Sequence, residues 1–487
     1  MTSKPTRLSF ASLIFFMYEV LKGTIVPFVA ALFGTASLTS RIWQIAIIVV
    51  FVAFMLGTAI VRYLMFTYQL LEDEIVVRYG VFVKKVNHVP YDRIQNVTTN
   101  QWFFLKPFGL VELEIETAGH SEKPEVELKA VPESLRSEID ALRQRSKQME
   151  PDEEVEVEET FQPVPENTYQ IRWKDLIKFA LTSPAFLTGL LVVLAAYGKV
   201  SNSISKEVYQ NLANEASHLG ILLIVGLVVL VLLIFYVGSV IVLIVQYYHF
   251  KLTEEDSKFE MERGLLQTKK TSIARPRIQE VLVKQPWLRS FLKIVTVQLV
   301  IVSNSKKGDS EKDIIVMPVI ATNKLAEFMQ QFFAEIPLDI PDFKPDKWTY
   351  YYKLRNATYF AVLGSIILVI ATHWFLWLSV TLVIIWLFIC YLPAYFSIKR
   401  SYVDVPRDDY LVIQNNKLLT KQLFFVPKES IQFVERRQSI WLKKRNIASL
   451  TVNVRSGNRQ RKLNVDYLTE AEIDRVIKWY KESTNVA

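Results

Sequence analysis

The sequence predicts an α+β membrane protein in which six transmembrane helices form three hairpins, each followed by a small antiparallel β unit and a closing helix. Three observations lead there. Apolar residues make up 51% of the 487 positions and charged ones 22%, too oily for a wholly soluble chain and too charged for one confined to lipid. Six apolar spans come in pairs. A motif in the polar segment after each pair occurs three times, the mark of a repeat architecture.

A helix needs about 20 mostly apolar residues to cross the bilayer core. The spans cover 13–33 and 42–65, then 176–197 and 221–248, then 357–373 and 375–396. Glu19 and Lys22 interrupt the first, and a second span follows at once, so the first reads as a retained anchor and not as a cleaved signal. The hairpin tips carry only Arg41, Lys199 and Lys206. The opposite ends carry Lys4, Arg7, Arg62, Arg172, Lys174, Lys251, Lys353, Arg355, Lys399 and Arg400. Positive flanks stay cytoplasmic, so both termini and all three polar segments are expected inside the cell.

The polar segments share Ile-Gln-x-Val-x-x-x-Gln, beginning at Ile94, Ile278 and Ile431, 184 and then 153 residues apart. Arg93 and Arg277 precede the first two copies, each thirteen residues after a glycine (Gly80, Gly264); the third has Lys417 and Ser430 there. Downstream, Val111-Glu112-Leu113-Glu114-Ile115-Glu116 and Leu450-Thr451-Val452-Asn453-Val454 alternate with period two, as half-buried strands do. Ile75–Tyr79, Phe259–Met261 and Leu411–Ile413 are further short strand segments. Each copy then ends in an amphipathic helix: Leu135, Ile139 and Leu142; Leu325, Phe328, Met329, Phe332 and Phe333; Ile473, Val476, Ile477 and Tyr480. Thr469-Glu470-Ala471-Glu472 is a capping box for the last.

Tyr68-Gln69-Leu70, Gly80, Arg93-Ile94-Gln95-Asn96-Val97, Gln101 and the strand from Phe108 to Gly119 together resemble the bacterial pleckstrin-homology-like (PH-like) domain of the YdbS/YdbT membrane-protein family. The whole chain looks like its three-domain type. The resemblance implies a seven-stranded, partly open cytoplasmic β-barrel capped by a C-terminal helix for each domain. It also implies an accessory protein that forms a hetero-complex with a smaller PH-domain membrane protein, and a part in tolerance of membrane-active antimicrobial peptides. It carries over no catalytic residue. The organisation expected is hairpin 1–66, domain 67–148, acidic linker 149–170, hairpin 171–248, domain 249–337, linker 338–356, hairpin 357–398 and domain 399–487.

Three sets of residues are candidates for a site. Arg93, Gln95, Gln101, Arg277, Gln279, Gln285, Gln432 and Gln438 recur with the motif; they are framework residues, the amide bridging strands and the arginine meeting a carboxylate, or partner contacts. Glu19 and Lys22 are three apart on one helix face. Each costs about 2.5–3.5 kcal/mol at mid-bilayer if unpaired, so they belong in an inter-helix ion pair or, with Lys178, in the polar cavity of a peptide or lipid exporter. Arg436, Arg437, Lys443, Lys444 and Arg445 lie in a basic third domain tethered under a membrane, where each charge near an anionic leaflet is worth about 1 kcal/mol. Membrane lipids are therefore an expected partner, a homo-oligomer is open, and nucleic acid is not expected: a net charge of +8 is mild for this length. One cysteine (Cys390) and five scattered histidines leave no expected metal or cofactor. Phosphate-loop, nucleophile-elbow and metalloprotease motifs are absent, so no enzyme is expected.

Overall fold

The computed structural model describes residues 4–34, 41–117, 124–148, 167–183, 221–255, 258–301, 314–338, 345–372, 376–456 and 459–482. They fall into two compact units, the first holding the described residues up to 148 together with 258–273, the second the remainder.

In the first unit, strand β1 (Thr6–Arg7) precedes helices α1 (Ser12–Gly34) and α2 (Arg41–Met65), which lead into β2 (Thr67–Leu70), β3 (Glu74–Tyr79) and β4 (Lys85–Pro90). β1 pairs antiparallel with β2, Thr6 opposite Tyr68, so the helical hairpin is inserted between the first two strands of a sheet ordered β1-β2-β3-β4. Gly80 turns the chain from β3 towards β4 at φ +111°, where a Cβ would lie 2.0 Å from the Val83 carbonyl oxygen; only glycine fits so close a backbone approach.

A second sheet follows from β5 (Ile94–Trp102), β6 (Leu110–Thr117) and β7 (Val126–Pro132), closed by helix α3 (Ser134–Gln148). The alternation of β6 sends Val111, Leu113 and Ile115 into a core shared with Ile75, Val77 and Val89 of the first sheet and Leu135 and Ile139 of α3. Phe16 of α1 and Ala59 of α2 join that core, so the hairpin is packed onto the domain. Gly109, just before β6, has φ +60°; Lys293 (+52°) and Asn446 (+55°) take the same left-handed turn at the matching positions of the other two copies.

The second sheet does not stop at β5. Strands β10 (Lys258–Arg263) and β11 (Gln267–Ala274) of the second copy extend it, giving the order β7-β6-β5-β11-β10 in this unit, with Asn100 opposite Lys269 and Gln101 opposite Thr268.

In the second unit, β8 (Asn167–Gln170) pairs with β9 (Lys251–Glu255) across helices α4 (Trp173–Leu181) and α5 (Ile221–Tyr247), the same insertion of helices between paired strands. There follow β12 (Ile278–Pro286), the short helix α6 (Trp287–Phe291), β13 (Ile294–Ile301), β14 (Ile314–Ala321) and α7 (Leu325–Phe332). Helices α8 (Lys347–Thr372) and α9 (Leu376–Lys399) then lead to β15 (Tyr402–Arg407), β16 (Tyr410–Lys417) and β17 (Thr420–Pro427). Last come β18 (Ile431–Arg437), α10 (Ile440–Lys443), β19 (Ile447–Ser456), β20 (Arg459–Thr469) and α11 (Glu470–Glu482).

Here too one copy's sheet continues into the next, in the order β14-β13-β12-β17-β16-β15, while β18-β19-β20 stands as a separate sheet. Lys284 lies opposite Gln422 and Gln285 opposite Lys421. The motif shifts by 184 residues from β5 to β12, and the partner strand by 153 from β11 to β17. Gln101–Thr268 and Gln285–Lys421 are therefore one register used twice. Leu282 of β12 enters the core of the third domain beside Phe424, Leu450 and Val452. The expected capping box is present: the Glu472 carboxylate accepts from Thr469 N at 2.8 Å, and Thr469 Oγ1 accepts from Glu472 N at 3.4 Å.

Among the described residues four helices, not the expected six, are long and apolar enough to cross a membrane: Ile45–Met65, Val229–Tyr247, Lys347–Thr372 and Leu376–Lys399. The first expected span is the helix α1, interrupted by Glu19 and Lys22. The third falls mostly outside the described residues, beyond Ser183.

Candidate functional site

Polar side chains gather where each β-domain meets the helices inserted in it, and each copy makes that joint with different chemistry. In the first, Glu19 of α1 accepts from Arg62 of α2 at 3.4 Å and forms a short ion pair with Lys129 of β7. Lys129 is buried and lies 5.6 Å over the Phe16 ring. Phe15 and Phe104 pack ring to ring at 5.8 Å, and Ser9 N donates to Ala130 O. Lys22 is exposed on α1 and joins no ion pair among the described residues. On the outer face of β6, burial raises the Glu112 carboxyl to about 7, with help from Glu114 and opposed by Lys129. Burial likewise raises Glu114, opposed by Lys269 and by the amide that Asn100 donates at 2.8 Å.

In the second copy the joint is built on a guanidinium. Arg289 of α6 is buried, donates to Thr182 Oγ1 at 3.1 Å and to Thr296 Oγ1, and stacks 4.6 Å over Phe179. Burial lowers its pKa to about 10, so it stays charged. Among the described residues Lys178 pairs only with Asp175, three residues away on its own helix.

In the third copy Lys353 of α8 donates to Ser397 O at 2.9 Å, Ser397 Oγ at 3.0 Å and Ser401 Oγ at 2.6 Å. Tyr467 of β20 docks on the same helix: its carbonyl accepts from Thr349, its hydroxyl from Asn356, both at 2.7 Å, and its ring stacks on Tyr352 at 5.4 Å. Beside them, Arg445 lies 3.8 Å over the Trp348 ring, and Tyr352 donates to Trp441 O. Lys443, Lys444 and Arg445 are exposed, and so are Ile440 and Trp441, at 78% and 73%. Arg436 and Arg437 differ from that trio: the first is held by Glu470, Asp474 and Gln438, the second by Glu435 at 2.9 Å.

A family model described as the bacterial PH domain matches residues 22–146, 192–332 and 358–484. The chain belongs to the bacterial PH-domain family. It is also similar to the transmembrane protein YdbT of Bacillus subtilis (strain 168), at 24% identity over 499 residues that span 99% of each chain. This YdbT-like PH-domain protein is thus a membrane protein built on an internal repeat.

Within the PH domains the repeated glutamines do one job. Gln101, Gln285 and Gln438 each donate to the backbone carbonyl nine residues on, at Leu110, Ile294 and Ile447 (3.4, 3.3 and 3.0 Å). They staple the first strand of the three-stranded sheet to the start of the next. Arg93 is exposed with no ion pair among the described residues, Arg277 and Gln279 are half-buried, and Gln432 is exposed; the Gln95 side chain lies outside the described part of the structure. In the second PH domain Arg275 bridges Glu254 at 3.0 Å, Glu335 at 3.1 Å and Phe332 O at 2.7 Å. Its only trace in the sequence is the doublet Arg275-Pro276-Arg277, where motif alignment selects the second arginine.

Proposed function

We propose that the chain is an integral-membrane scaffold, not an enzyme, with six crossings as its apolar pattern has them. Its PH-like domains, each a partly open barrel, lie with both termini on the cytoplasmic side against the inner leaflet. There it assembles with a smaller PH-domain membrane protein and contributes to tolerance of membrane-active antimicrobial peptides. One observation carries the membrane-surface reading: Trp441, Lys443, Lys444 and Arg445 form an exposed aromatic and basic loop fastened to the start of α8 through Trp348 and Tyr352. Such a loop suits the interface, where an indole sits at headgroup depth and each nearby cation adds about 1 kcal/mol.

The test is complementation of a deletion strain. Deletion should lower the inhibitory concentration of pore-forming peptides several-fold, and the wild-type chain should restore it. The triple variant Lys443→Gln, Lys444→Gln, Arg445→Gln should restore it only in part while reaching the membrane at the wild-type level. A deletion strain as tolerant as its parent across a panel of peptides removes the tolerance reading; full rescue by the triple variant removes the loop from it.

A further inference from the structure

Two of the three PH domains lend a strand edge to a neighbour, and the arithmetic of these joins leaves one edge over at each end of the chain. The outer edge of β5 takes β11, and the outer edge of β12 takes β17, in one shared register. β18 is the third copy of β5 and β12, since all three begin at the Ile-Gln motif. β4 is the first copy of β11 and β17, since each precedes a short 3-10 turn (Tyr91–Arg93, Arg275–Arg277, Lys428–Ser430) that opens the motif. Within its own unit, neither the outer edge of β4 nor that of β18 pairs with a described strand. Exposure follows the same division. Thr98, Thr99 and Asn100 of β5 are buried in their join, whereas the matching Glu435 and Arg436 of β18 are half-buried and Arg437 is exposed, and Val86 of β4 is 48% exposed. Phe103 N donates to Leu266 O at 2.7 Å beside the β5–β11 pair; the matching residues at the free edges are Ile440 and Phe82, and Phe82 is 99% exposed.

We propose that a second copy of this chain docks head to tail, its β4 adding to the β18 edge of the first in the register Lys85–Arg437 and Asn87–Glu435. This goes beyond the scaffold reading above, because it rests on strand topology alone. The occupant is a second copy because the strand that β18 lacks is one this chain itself carries, shaped as β11 and β17 are shaped. Main-chain hydrogen bonds would supply the affinity, as in other strand additions. The contact is heterologous, β4 on one side and β18 on the other, so copies would close into a ring or extend as a row. Tyr480 donates to Gln432 O at 3.0 Å, but that carbonyl precedes the stretch used in the two existing joins and leaves the edge open. Lys85 facing Arg437 is unfavourable, and Glu435 on the diagonal offsets it. Unlike the two tethered joins, this one depends on protein concentration.

Cross-linking of the full-length chain in membranes tests it, in a Cys390→Ser background that removes the native thiol. Lys284→Cys with Gln422→Cys in one chain reports the existing β12–β17 join and serves as the positive control. The matching positions are Arg437→Cys and Lys85→Cys, placed in two copies carrying different tags. Mild oxidation should link the two tags, while each single variant alone, and Arg437→Cys with Val89→Cys, should give no linked pair. If the control links and the Lys85–Arg437 pair does not, the proposal fails. It fails equally if Arg437→Cys links to its own kind, or if it traps only an unlike protein.

Discussion

The first and third PH domains face the same task, fastening a β-domain to a helical hairpin, and solve it with opposite chemistry. The first uses charge: Glu19, 43% exposed, is held between Arg62 and the buried Lys129. The third uses neutral contacts: Tyr467 accepts from a threonine and an asparagine and lies flat on Tyr352, while the one buried ammonium, Lys353, is satisfied by serine and carbonyl oxygens. An ionic joint is worth most while both partners stay, because removing one strands the other. A neutral, packed joint depends on shape. The two should therefore fail differently. Because a chain of several domains has no single unfolding free energy, local opening measured by hydrogen exchange is the appropriate probe.

The largest effect is expected in the third domain. Tyr467→Ala removes a stacked ring and orphans the Asn356 amide, which should make β20 easier to open by about 2–3 kcal/mol, with no dependence on salt. A strong salt dependence would break the contrast. In the first domain Lys129→Met should cost about 1–3 kcal/mol in the protection of β7. In a double-mutant cycle, Glu19→Gln added to Lys129→Met should cost far less than Glu19→Gln alone. Additive costs would show that the pair does not act as a pair.

A smaller and more specific difference is in pH. Glu112 sits near Lys129 with its pKa raised from 4.5 to about 7 by burial. The fold thus favours the protonated acid. That contribution is complete below about pH 4.5 and is lost as pH rises through about 7. Glu112→Gln should therefore raise the protection of β6 at pH 8 and leave it unchanged at pH 4. A gain of equal size at both values would mean that side-chain volume, not ionisation, is responsible. In the third domain the matching face of β19 carries the neutral Thr451 and Asn453.

Much of this architecture is legible in the sequence because it rests on periodicity. The alternation of β6 and β19, the stripes of α3, α7 and α11, and the register of the glutamines follow from side-chain period alone. The joins between domains are not legible, since pairing of β5 with β11 adds backbone hydrogen bonds and leaves no mark on which residues alternate. β1 and β8 escaped for a related reason: two and four residues with no alternation, lying before apolar helices that dominate the pattern. The three anchoring cations, Lys129, Arg289 and Lys353, fall at unmatched positions of their repeats, so the internal alignment that found the glutamines passes over them.

The glutamines give the smallest expected effect and bear directly on whether the three copies are equivalent. Each amide donates to a carbonyl at the start of the next strand, a bond worth about 0.5–1.5 kcal/mol. Gln101→Met and Gln285→Met should lie at the lower end, since their bonds are long at 3.4 and 3.3 Å. Gln438→Met should cost more, because the same amide also meets Glu470, which in turn holds Arg436. Losing it loosens a carboxylate shared by the β18–α11 corner as well as the turn. The expected order is therefore Gln438, then Gln285 and Gln101 together, read from exchange in β19, β13 and β6. A large loss at Gln101 or Gln285 with little change in exchange would assign that glutamine a partner outside the fold. The repeat would then mark a binding edge as well as a framework.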